Sequence, residues 1–208
     1  WGSGTWGVGS VSTNSIRLWS QSNFGEDLIF GPRGGAIYYW DATSGLTSRA
    51  VELSTLAGAS NVPTDQNFVE ISDINRFVFA FGANEFASAT VNPMLVRWSD
   101  QGNALNWTPS ATTQAGFLTL SRGSKLVTAK QSRQEVLVWT DSALYSLQYV
   151  GAPVVWAAQL VGENISIAGQ NAVAYANGVA YWMGKDKFYK YDGRTTPLRC
   201  DLRQFIFN

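Results

Sequence analysis

Short apolar runs recur along the chain, each closing on an aromatic residue and leading into a turn rich in Asp, Ser or Gly. Four segments share this plan: "AIYYWDATSG" (36–45), "MLVRWSDQGN" (94–103), "EVLVWTDSALYSLQYVG" (135–151) and "VAYWMGKDKFYKYDG" (179–193). Their marker tryptophans, Trp40, Trp98, Trp139 and Trp182, are spaced 58, 41 and 43 residues apart. Each marker follows another strand candidate: "DLIF" (27–30), "RFVFAF" (76–81), "KLVTAK" (125–130) and "NAVAYA" (171–176). Before the last marker, Asn177-Gly178 tolerates positive φ and predicts a two-residue hairpin turn.

Strand character differs between runs. "VLVW" (136–139) is apolar without alternation, as expected of a strand covered on both faces, whereas "LYSLQY" (144–149) places Ser146 and Gln148 together on one face. A repeat of roughly 40–45 residues containing several short strands is the signature of a β-propeller. The expectation is an all-β, propeller-like domain over residues 1–208, with about four blades visible and the whole incomplete, as a fragment of a larger propeller-containing protein would be. Helical spacing is confined to "LTSRAVELSTLAG" (46–58), which predicts a short helix within an insertion at 42–75 and accounts for the wide first interval. The opening "WGSGTWGVGSVSTNS" predicts a loop or the remnant of a further blade, and "RQFIFN" at the other end has strand character.

Composition narrows the function classes. Lys+Arg and Asp+Glu are both 15 and charged residues make up 14%, well below the roughly 25% of ordinary soluble proteins. Residues 151–208 carry a net +2 and the first 150 a net −2, too even for a nucleic-acid binder that works by neutralising phosphates. Nine Trp, eight Tyr and eleven Phe fit either a β-rich fold or surface covered by partners. The sequence holds no apolar run long enough to span a membrane. With no histidine and one cysteine, Cys200, His-dependent catalysis, the commonest zinc sites and an internal disulfide are excluded.

The stretch "SDQGNALNW" (99–107) raises one chemical possibility. Ser99, Asp100, Gly102 and Trp107 have the residue types of the Asp-box turn of sialidase-like propellers. The spacing departs from that motif: Ser99 and Asp100 are adjacent and Trp107 lies five positions beyond Gly102. Asp41, Asp100, Asp141 and Asp192 each follow a strand at the equivalent turn, which predicts turn capping rather than the paired carboxylates of a glycosidase. The ten arginines include no arginine motif of the sialidase type. "GPRGG" (31–35) and "SRGSK" (121–125) lack Walker spacing and read as turns. Asp73, Asp100 and Asn103 are too sparse for a calcium loop. Trp1, Trp6, Trp19, Trp107 and Trp156 are candidates for packing or for stacking on sugars.

Three long blocks carry a resemblance: "LWSQSNFGEDLIFGPRGGAIYYWD" (18–41), "VRWSDQGNALNWTPSATTQAGFLTLSRGSKLVTAKQSRQEVLVWTDSALYSLQYVG" (96–151) and "GVAYWMGKDKFYKYDGRTTPLRC" (178–200). Together they resemble virion structural proteins of tailed bacteriophages, above all the short-tailed ones. The resemblance implies a propeller domain of a tail hub or nozzle protein, localised in the virion. It implies self-assembly into rings, sixfold in such proteins, and contact with other tail and portal or adaptor proteins around the DNA exit path. It brings no catalytic residues, no cofactor, no metal and no membrane partner, and at most weak contact with DNA. The alternative is a carbohydrate-binding propeller, lectin or sialidase-like, that recognises host-surface glycans through tryptophans on its rim.

Overall fold

The computed structural model describes residues 17–207, and these form an all-β structure of four antiparallel sheets, each with four strands. The first sheet contains β1 (Trp19–Phe24), β2 (Asp27–Pro32), β3 (Tyr38–Trp40) and β4 (Val51–Glu52). The second contains β5 (Phe68–Ser72), β6 (Phe77–Phe81), β7 (Leu95–Trp98) and β8 (Gly116–Thr119). The third contains β9 (Leu126–Gln131), β10 (Glu135–Thr140), β11 (Ala143–Gly151) and β12 (Val155–Glu163). The fourth contains β13 (Val173–Ala176), β14 (Val179–Met183), β15 (Phe188–Tyr191) and β16 (Thr195–Pro197). Every sheet is a meander in which consecutive strands pair, so no crossover is needed and each sheet is a local product of its own stretch of sequence. The Asn177-Gly178 turn has positive φ at both residues, 53° and 84°, and joins β13 to β14 at the Ala176↔Val179 pair.

Period-2 alternation explains how apolar strands without a polar face fold. In β6, Phe77, Phe79 and Phe81 pack toward the third sheet, against a cluster with Leu126, Val136, Val138 and Leu147. The intervening Val78 and Ala80 pack the other way, with Ile29, Ile37 and Leu53 of the first sheet's segment. The same division recurs in β10: Val136 and Val138 join the second sheet, while Leu137 and Trp139 meet Val173, Ala180 and Trp182 of the fourth. Three apolar cores thus lie between successive sheets, each fed by alternate residues of shared strands. Full burial of one such side chain contributes about 1.5–3 kcal/mol.

Polar ties add to this stacking. Arg97 of β7 is buried and donates to the carbonyls of Asn84 (3.1 Å) and Asn61 (2.5 Å), fastening the segment after the first sheet onto the second. Desolvation lowers its pKa to about 10. The β11–β12 hairpin extends from the third sheet, and its Trp156 packs edge-on to Phe77 (5.5 Å) and Phe79 (4.9 Å) of the second. Strands β1, β5 and β9, the first of their sheets, lie in succession beside one another.

Three expectations require correction. Residues 42–75 supply β4 and β5, with 3₁₀ turns at Ala42–Ser44 and Leu53–Thr55 and no α-helix at 46–58, where one was expected. Ser and Thr dilute helix propensity there, Asp41 caps the first turn through the Thr43 amide (2.8 Å), and Leu53 is drawn into the core. The segment at the other end is helical, α1 (Arg203–Phe207), because it pairs with no sheet; Phe207 packs edge-on to Phe188 at 5.2 Å. Finally, the marker tryptophans do not hold equivalent places: Trp40 and Trp98 are on third strands, Trp139 and Trp182 on second strands. The Gly/Ser-rich opening, with Trp1 and Trp6, lies outside the described residues.

Candidate functional site

The marker tryptophans serve the cores between sheets. Trp98, Trp139 and Trp182 are buried, and the rings of Trp139 and Trp182 meet edge-on at 5.5 Å across the third and fourth sheets. The Trp98 indole donates to the Gln114 carbonyl (2.8 Å) and that of Trp182 to the Ser166 carbonyl (3.2 Å), whereas Trp139 Nε1 has no partner. Trp40 is half-buried and donates to the Ser48 carbonyl at 3.1 Å. Trp107 and Trp156 are also buried, which leaves Trp19 as the exposed member of the described tryptophans outside the markers.

The turn at 99–107 is held by hydrogen bonds at every predicted residue. Ser99 is fully buried, and its Oγ accepts from the Val78 amide (3.1 Å) while its own amide donates to the Val78 carbonyl (2.9 Å). Asp100 Oδ1 accepts from the amides of Gln101 (3.0 Å) and Gln114 (2.7 Å). Gly102 adopts φ 70° and donates to the Arg76 carbonyl (2.8 Å), and the Trp107 indole donates to the Ala104 carbonyl (2.8 Å). The other turn aspartates are engaged in the same manner. Asp41 accepts from the Thr43 hydroxyl (2.6 Å), which with the Thr43 amide holds its carboxyl below the usual range. Asp141 accepts from the Ser124 amide (2.8 Å), and Asp192 from Lys190 Nζ (2.8 Å). These carboxylates follow strands of four different sheets and are engaged at their own turns.

Two of the concave regions gather polar side chains from different sheets. The first strands enclose a cavity of about 380 Å³, lined by Trp19 and Ser20 of β1, Glu70 of β5, Thr128 and Lys130 of β9, and Gln170 just before β13. Burial pushes the Glu70 carboxyl up to about 7, against the opposing pull of Lys130 Nζ at 3.9 Å. At this level Arg33, from the segment after β2, donates to Gln170 Oε1 (3.1 Å), joining residues far apart in the chain.

The larger region, about 710 Å³, lies between the third and fourth sheets and is lined by Arg133, Glu135, Gln148, Tyr149, Tyr175 and Tyr191 among others. Glu135 accepts a hydrogen bond from the Ser146 hydroxyl, and burial together with the nearby Glu135 carboxylate pushes the Tyr191 phenol up to about 12. Gln148 Nε2 donates to Ser146 Oγ at 3.3 Å. Ser146 and Gln148 thus share one face of β11, as predicted, with Ser146 buried and Gln148 exposed beside it. Nothing in the sequence pattern marks this groove or the Glu70–Lys130 pair, because their members come from separate strands with no common spacing.

No helix among the described residues is long and apolar enough to cross a membrane. No known protein family matches the sequence, and no curated protein shows significant similarity to it.

Proposed function

We propose that the chain is a non-enzymatic structural module of a tailed-bacteriophage virion, a propeller-like domain of a tail hub or nozzle protein. It acts through self-assembly and contacts with other tail proteins around the DNA exit path. The observation that carries this reading is the serial stacking of four meander sheets through shared apolar cores. Such stacking makes a rigid body whose edges and loops are free to vary and to meet neighbours without disturbing the interior. The adjacency of β1, β5 and β9 and the Arg33–Gln170 bond between the first sheet's segment and the approach to the fourth support a radial, blade-like arrangement. Support for assembly comes from apolar side chains left on the surface, among them Phe117 of β8, stacked on Phe86 at 6.2 Å, and Val150 and Val154 of the β11–β12 hairpin. Asp41, Asp100 and Asp141, spent on backbone amides, support a structural over a catalytic reading.

Light-scattering mass and negative-stain imaging of the protein test the proposal. Rings or a defined multimer are the expected result. A strict monomer at all concentrations, or glycan hydrolysis abolished by substituting one of the turn aspartates, overturns it.

A further inference from the structure

We propose that the groove between the third and fourth sheets is a binding site for an uncharged saccharide. The inference does not depend on assembly, and it places sugar recognition in a polar groove lined in part by Tyr175 and Tyr191, where the sequence alone had pointed to rim tryptophans.

The groove's volume, about 710 Å³, falls in the range of about 300–1,000 Å³ typical of small-ligand sites. Its polar groups are held in place before any ligand arrives. The Glu135 carboxylate accepts from the Ser146 hydroxyl, and the Tyr175 hydroxyl accepts from the Arg133 amide at 3.3 Å. The Arg133 guanidinium lies over the Asn177-Gly178 turn, where a Cβ on Gly178 would sit 3.9 Å from it. Gln148 is exposed at the mouth. Preorganised groups of this kind lower the entropic cost of binding.

The chemistry of the lining selects the ligand class. Arg133 offers donors only, Glu135 acceptors only, and Gln148 both. Vicinal hydroxyls, each able to donate and accept, satisfy all three together, and Tyr175, half-buried at the groove wall, adds an aromatic side chain for sugar C–H groups. An anion would meet Glu135 and Asp192, and a cation would meet Arg133. A purely apolar ligand would leave the polar groups desolvated without partners, which costs about 1–3 kcal/mol for each.

The test is titration of the full chain with four uncharged probes, lactose, maltotriose, N,N′-diacetylchitobiose and a rhamnose disaccharide, by calorimetry and backbone amide NMR. The charged 3′-sialyllactose serves as comparison. Saturable binding of at least one neutral probe is expected, with shifts centred on residues 132–135, 148–149 and 175–178. Arg133→Ala and Gln148→Ala, both at exposed positions, are expected to weaken that binding about tenfold each with unchanged thermal midpoints. Tyr175→Phe is expected to retain it, since the ring remains. Absence of saturable binding by every neutral probe, shifts centred elsewhere, or undiminished affinity in both alanine variants overturns the site. Tighter binding of 3′-sialyllactose than of lactose overturns the uncharged class.

Discussion

Glu70 provides a quantitative test of how the first strands are packed. Its carboxyl lies among β1, β5 and β9 with a side-chain exposure of only 14%, and burial raises its pKa from the ordinary 4.5 to about 7 despite Lys130. The raised value means that the folded state favours the protonated form. Between pH 4.5 and about 7 the folded protein holds a proton that the unfolded chain has lost, so stability declines as pH rises through this window. The contribution is fully present below the unfolded value and is lost once pH passes the folded one. The gap corresponds to about 3 kcal/mol. Glu70→Gln keeps the shape and removes the titration. Urea unfolding followed by tryptophan fluorescence at about pH 4 and about pH 8 isolates the effect, because all other carboxylates titrate alike in both proteins. The difference in unfolding free energy between variant and wild type is expected to move in favour of Gln by about 3 kcal/mol across that range. Parallel pH profiles for the two proteins would refute a desolvated Glu70 and the close approach of the three strands that desolvates it.

Three further outcomes follow from the packing. Ser99→Ala leaves the buried Val78 amide without the Oγ that accepts from it, and is expected to cost about 1–3 kcal/mol in chemical denaturation. Gly116→Ala places a Cβ 2.6 Å from the Trp98 ring; forced repacking at about 1–3 kcal/mol would be read as a lowered thermal midpoint with altered Trp98 emission. Trp156→Ala empties the edge-on contacts with Phe77 and Phe79, and a loss of about 3–5 kcal/mol is expected in urea unfolding.

What the sequence determined by itself was local. The meanders are made of neighbouring strands, so short apolar runs, turn residues and Asn177-Gly178 suffice to predict strands and hairpins. The capping duty of Asp41 and Asp100 was likewise legible, because a carboxylate beside a strand end reaches amides one or two residues away. Equivalence between repeats was not. Trp139 and Trp182 resemble Trp40 and Trp98 in their local sequence, yet occupy second rather than third strands, since any buried strand facing a neighbouring sheet can accommodate an indole. Residues 42–75 show the same limit: their spacing suits a short helix, and only the hydrogen-bonding edge of β3 and the space taken by Leu53 make them β4 and a 3₁₀ turn. Tertiary structure alone decided the two concave regions. Glu70 meets Lys130 across β5 and β9, and Arg133, Tyr149, Tyr175 and Tyr191 line one groove from different strands and loops of two sheets. Their proximity depends on how sheets stack, and sheet stacking depends on which residues of each strand face which neighbour, a relation between distant segments that no local pattern encodes.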